Sequence, residues 1–236
     1  GFWDGLLEKF LLPLAVRDGG AVRVGLVSAI AGDAAALRRV LADFHSQGAW
    51  LVLNAGDTLG SPRASTKTIR ILRTEGIVSI ATDRDRQLLD GRSPAITEGD
   101  PKGLRSRRRQ SKDTRRFIRT LPSSLRLSLS GKSILLTSGL PDIPVFCFDE
   151  TTPEEGLCRI ARETGASVIV SGHRHAPFSR GACGSIFVHP GSVGREESEP
   201  FASTATLLDI ASDGSVTVTP HTLTTGTPCW STEGPR

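Results

Sequence analysis

The chain has 236 residues, 29 basic against 25 acidic for a formal charge of +4 at pH 7, with 38% hydrophobic residues, 25 Gly and 14 Pro. That length makes one large domain or two small ones with enough chain for a buried core, and 23% charged residues beside abundant Val, Ile and Leu exclude general disorder. No apolar run approaches the roughly 18 residues that cross a bilayer, and a charge of +4 on this length does not by itself point to nucleic acid.

The chain opens on Gly1–Val16, where Trp3, Leu6, Leu7, Phe10 and Leu11 share one helical face. This arm, residues 1–20, is expected to dock on the domain's own surface or on a partner, self-association being one form of that contact. The first residue is not Met, so processing or trimming is expected, and a Cys just before Gly1 after a short apolar leader would make an envelope lipoprotein. Five short aliphatic runs then end in small or polar residues: Val22–Ser28, Trp50–Asn54, Ile77–Ile80, Ser133–Thr137 and Ser167–Val170. They read as strands buried on both faces, with the polar residues after them gathered at one rim. Helical periods lie between, clearest over Ala34–His45 with Asp33 as N-cap, then Thr66–Thr74 and Pro153–Thr164, each closed by a glycine, Gly76 and Gly165.

Residues 91–116 have no apolar period and hold Arg105, Arg107, Arg108, Arg109, Lys112, Arg115 and Arg116. They predict an exposed, mobile basic insert that associates weakly with polyanions, while specific nucleic-acid binding is not expected without interleaved aromatics. After His175 come closely spaced strands, Phe178–Cys183, Ile186–His189, Ser203–Ile210 and Val216–Leu223, joined by hairpin-like turns at Ala182-Cys183-Gly184 and Ser212-Asp213-Gly214. The order predicts an α/β fold, two sheets packed face to face and flanked by helices, over residues 21–224, with 225–236 as a flexible tail. The four cysteines, Cys147, Cys158, Cys183 and Cys229, form no C-x-x-C pair and read as small hydrophobes.

Ala55-Gly56-Asp57, Thr82-Asp83-Arg84-Asp85, Ser138-Gly139-Leu140-Pro141, Gly172-His173-Arg174-His175 and Pro190-Gly191-Ser192-Val193-Gly194 occur in an order that resembles the calcineurin-like metallophosphoesterases, most of all their YfcE-like phosphodiesterase branch. The run from His189 to Gly194 differs from the usual NPGSVG form only at its first residue. The resemblance covers about residues 22–223 and implies the family's αββα fold and, with it, a cytoplasmic protein. It also implies a site in which carboxylates and imidazoles hold two divalent ions that activate a bridging water.

Carried over position by position, the resemblance sets Asp57 at the bridging carboxylate, His173 and His175 at the final pair, and Asp83 at an Asn ligand. Ala29, Ala31 and Ser138 stand where an Asp and two His ligands belong, and Arg84 stands at the His that assists the leaving group. Alanine offers no lone pair. The expectation is a family fold that has lost most dinuclear metal ligands and serves as a non-catalytic binding or scaffolding domain, comparable with the retromer subunit of the same fold. Its partner is expected to be a protein. No cofactor is expected beyond one weakly held divalent ion, Mn, Zn or Fe, at Asp57, Asp83, His173 and His175. The alternative is a weak or single-metal phosphodiesterase or phosphatase at those residues, with Arg84 or Arg107, Arg108 and Arg109 binding the phosphate anion. The residues equally allow Asp57 as the cap of the next helix, the two histidines as hydrogen-bonded rim residues, and Arg84 as an ion-pair partner of Asp83 and Asp85.

Overall fold

Strand β1 (Val22–Val27) sits at the centre of the first sheet, and the computed structural model describes residues 20–49, 51–89, 109–138, 148–172, 176–194 and 203–223 around it. Its neighbours are β2 (Leu51–Asn54), parallel, and β9 (Ser203–Ile210), antiparallel. With β3 (Val78–Ser79) beyond β2 and β10 (Val216–Leu223) beyond β9, the sheet order is β10-β9-β1-β2-β3. The second sheet is β4-β5-β6-β8-β7, formed by β4 (Ser124–Leu129), β5 (Lys132–Thr137), β6 (Val168–Ser171), β7 (Phe178–Ala182) and β8 (Ser185–His189). Within it β5, β6 and β8 run parallel, and β4 and β7 are antiparallel edges.

Alternation of side chains puts Val24, Leu26, Leu53 and Ile80 of the first sheet against Ile134, Leu136 and Val170 of the second, a dry layer between the sheets. The opposite faces take helices. α1 (Ala34–Ser46) and α2 (Pro62–Thr74) bury Leu37, Val40, Phe44, Ile69 and Leu72 against the first sheet, and α5 (Glu154–Thr164) buries Leu157 and Ile160 with Phe187 of the second. Five helices are present among the described residues, the others being α3 (Asp83–Leu89) and α4 (Lys112–Thr120). The result is the expected α/β fold, two mixed five-stranded sheets between helical layers.

Helix ends follow their local chemistry. Asp33 caps α1 by accepting from the backbone N–H of Ala35 (3.1 Å) and Ala36 (2.8 Å), and Gly165 closes α5 in the left-handed region at φ 58°. α2 begins at Pro62, four residues before the expected start, because proline at the first helical position loses no hydrogen bond.

Two expectations need correction. The basic run does not remain an exposed loop to residue 116: Lys112 starts α4, Ser111 caps it by accepting from Thr114 N–H at 3.1 Å, and Thr114, Phe117 and Ile118 are buried beneath its charged face. Gln110 is buried as well, and its side chain donates to the Gly60 carbonyl at 2.9 Å. The remainder of the insert up to residue 108, the arm 1–19 and the tail lie outside the described residues. The second correction concerns the sulfurs. Cys158 of α5 and Cys183 of the β7–β8 turn form a disulfide across a sequence separation of 25, with Cα atoms 5.2 Å apart. Cys183 and Gly184 both have positive φ, 48° and 80°, the two-residue hairpin geometry that normally favours Asn-Gly.

Closing a loop of this length limits the unfolded chain, so Cys158→Ala with Cys183→Ala is expected to lower unfolding free energy by about 2–4 kcal/mol in urea titrations without reductant. Peptide mapping should recover the 158–183 linked pair. Free alkylation of both thiols in the native, unreduced protein would contradict the bond.

Candidate functional site

Parallel pairing of β1, β2 and β3 brings their C-terminal ends to one edge, and the loop after β1 is laced to the loops around it by backbone hydrogen bonds. Ala29 N–H donates to Gly56 carbonyl (3.0 Å), Ala31 N–H to Asp57 carbonyl (3.1 Å) and Gly32 N–H to Thr58 carbonyl (2.9 Å). From the other side the Gly191–Gly194 turn after β8 adds Val193 N–H to Ser28 carbonyl (3.1 Å) and Gly194 N–H to Ala29 carbonyl (2.9 Å). A Cβ on Gly194 would lie 2.1 Å from the Ile30 carbonyl oxygen, and one on Gly172, at the end of β6, 2.4 Å from that of Ala55. Only glycine permits either approach.

Among the described residues, five non-glycine positions have positive φ, and two of them, Ser130 and Cys183, belong to hairpin turns. The other three are Ala29 (46°), Ala31 (49°) and Asp57 (53°), three of the positions that the resemblance assigns to metal ligands. The left-handed region is costly for residues with a Cβ and concentrates at functional sites.

Asp57 is buried, and its carboxylate accepts a hydrogen bond from the Thr82 hydroxyl. It does not cap α2, whose N-cap is Ser61. Asp83 and Arg84 follow Thr82 in the first turn of α3 and are exposed. Asp85, one residue on, turns inward and is fully buried; it accepts from Thr58 and Leu59 N–H, both at 2.9 Å, and its other oxygen faces Thr82 N–H and the Thr82 hydroxyl at 3.3 Å. These contacts fasten the loop after β2 to the start of α3. Burial first, and the negative charge of Asp57 second, push the Asp85 carboxyl up to about 6. Sequence reading did not single out Thr82, and it named Asp85 only as an ion-pair partner of Arg84, not as a buried acceptor that fastens two loops. The signal available was the residue pattern of Thr82-Asp83-Arg84-Asp85, in which the last carboxylate falls on the inner face of a short helix.

Ser138 lies at the end of β5, half-buried, with its hydroxyl donating to the Ser123 carbonyl at 3.2 Å. Thr137 pairs with Ser171, which sets Ser138 alongside Gly172 at the end of the second sheet. His189, where the resemblance has Asn, places its two ring nitrogens against the carbonyl oxygens of Ser171 (2.6 Å) and Phe148 and so ties β6, β8 and the segment before α5 together. Arg109 is described and exposed. His173, His175, Arg107 and Arg108 lie outside the described residues. Ala29, Ala31 and Asp57 are thus brought together, with Gly172, the residue before His173, packed on Ala55 and Ser28.

Ala29 and Ala31 present methyl groups, Asp83 is exposed, Asp57 is engaged by Thr82, and no group of three or more His, Cys, Asp or Glu able to hold a metal occurs among the described residues.

Folding raises the Asp85 pKa from 3.8 to about 6, so the fold favours the neutral form. Its contribution to stability is complete below about pH 4 and is lost as pH rises through about 6. Carboxyl-carbon NMR should give Asp85 a midpoint near 6, whereas a midpoint near 4 would contradict this. Asp85→Ala strips the acceptor from two buried N–H groups and is expected to cost about 1–3 kcal/mol for each.

No curated protein sequence matches the chain. Solved structures share its fold: a hypothetical protein of Pyrococcus horikoshii OT3, PH1004 (TM-score 0.64, 18% identity, 84% of this chain and 86% of that one), and a metallophosphoesterase of Sphaerobacter thermophilus (0.62, 16%, 87% and 89%). Vacuolar Protein Sorting 29 of Cryptosporidium parvum also shares it (0.51, 16%, 86% and 98%). The family profile described as "Calcineurin-like phosphoesterase superfamily domain" matches residues 22–213, which take in every described strand except β10, and the chain belongs to that superfamily.

Proposed function

We propose that this chain is a calcineurin-like phosphoesterase domain whose site has lost most of its dinuclear metal ligands and which acts as a non-catalytic binding or scaffolding domain for a protein partner. The observation that carries this reading is the left-handed backbone at Ala29, Ala31 and Asp57. The loops hold a conformation that is costly for residues with a Cβ and concentrates at functional sites, yet at two of the three positions the side chain is a methyl group. Without those donors there is little to fix two ions, and with the ions goes the lowered pKa of a bridging water on which hydrolysis depends. The fold itself does not decide the matter, because a metallophosphoesterase and a vacuolar sorting protein both have it.

The purified protein is expected to carry well under two metal equivalents and to show no hydrolysis of an aryl phosphodiester above background with Mn²⁺, Ni²⁺ or Zn²⁺ added. Turnover that disappears on Asp57→Ala would overturn the proposal and establish a single-metal phosphodiesterase working through Asp57, Asp83, His173 and His175.

A further inference from the structure

Helix α4 carries Lys112, Arg115, Arg116 and Arg119 at spacings of three, four and seven residues, which places them on one face along about 10 Å of axis. Together with Thr120 they line a surface concavity of about 460 Å³. Among the described residues none of the four side chains forms an ion pair or hydrogen bond, and the buried Nε of Arg115 has no acceptor. The helix's one acidic residue, Asp113, is committed elsewhere: both of its oxygens accept from Arg73 at 3.0 Å, and Arg73 in turn lies over the Phe117 ring at 5.0 Å. Among the described residues, four cations therefore converge on a hollow with no counter-charge of their own. Such an arrangement is repulsive unless an anion is present, and guanidinium groups recognise phosphate oxygens in pairs.

We infer that the α4 concavity is a binding site for a compact anion bearing two or three linked phosphate groups. The volume falls in the range of small-ligand sites, and the cations are too closely grouped to track a long polymer. The lining offers no exposed aromatic ring on which a nucleobase could stack. It also offers no large apolar side chain to anchor a protein interface or to enter a membrane, because Phe117 and Ile118 point into the core. The site lies on the outer face of a flanking helix and does not depend on the chemistry at Asp57.

Titration calorimetry with inorganic tripolyphosphate tests the assignment, with orthophosphate and a short DNA duplex as comparisons. Expected are one tripolyphosphate per chain, affinity at least tenfold above orthophosphate and falling as salt rises, and amide NMR shifts centred on residues 112–120. Arg116→Gln with Arg119→Gln, both exposed, should weaken tripolyphosphate binding by tenfold or more with the melting temperature unchanged. Should that pair perturb folding, Lys112→Gln with Arg119→Gln supplies the same comparison. Tripolyphosphate affinity that is indifferent to both pairs, or shifts confined to residues outside α4, would overturn the site. Tighter binding of the duplex, lost in the same variants, would overturn it in favour of a nucleic-acid surface.

Discussion

Two missing side chains hold the functional edge of this protein together. At Gly194 and Gly172 the backbone comes so close to the carbonyls of Ile30 and Ala55 that a single methyl group would collide with them. Through these approaches the turn after β8 and the end of β6, both belonging to the second sheet, close onto the loops after β1 and β2 of the first. The hydrogen bonds from Val193 and Gly194 to Ser28 and Ala29 follow from that approach.

This constraint separates the shape of the edge from its chemistry. Ala29 and Ala31 adopt a conformation that costs an L-residue about 1–2 kcal/mol, and the cross-loop hydrogen bonds to Gly56 and Asp57 offset that cost. Backbone bonds do not depend on what the side chain is. A ligand can therefore be exchanged for alanine with the loop left in place, and the glycines remain necessary whether or not a metal binds. Thr82 and Asp85 act in the same direction: one hydroxyl donates to Asp57, and one buried carboxylate gathers the N–H groups of Thr58 and Leu59, which fastens the loop after β2 to the start of α3.

The strands and the capped helices were legible because their signals are local. Aliphatic runs ending in small residues mark β1, β2, β5 and β6, and Asp33 ahead of an apolar period marks α1. The α4 helix was hidden because its cations dominate the composition of a segment whose apolar stripe is only Phe117 and Ile118. β4 was passed over because an edge strand with alternating Leu125, Leu127 and Leu129 has no continuous apolar run. The disulfide could not be deduced, since pairing Cys158 with Cys183 requires knowing that α5 packs beside the β7–β8 turn. At the site, residue identities alone showed that alanine stands at two positions where the resemblance expects ligands. The left-handed backbone at those alanines is a product of tertiary contact and has no signature in the sequence, and the inward turn of Asp85 beside exposed Asp83 is signalled only by the order of carboxylates in a short segment.

We propose that the edge beside Asp57 lacks the family's pair of ions. Anomalous diffraction from crystals grown with excess Mn²⁺ tests that most directly, because it locates each bound ion independently of any activity. The account predicts no pair of anomalous peaks at Asp57, and at most a single weak one. Two strong peaks about 3.5–4 Å apart and bridged by the Asp57 carboxylate would contradict it.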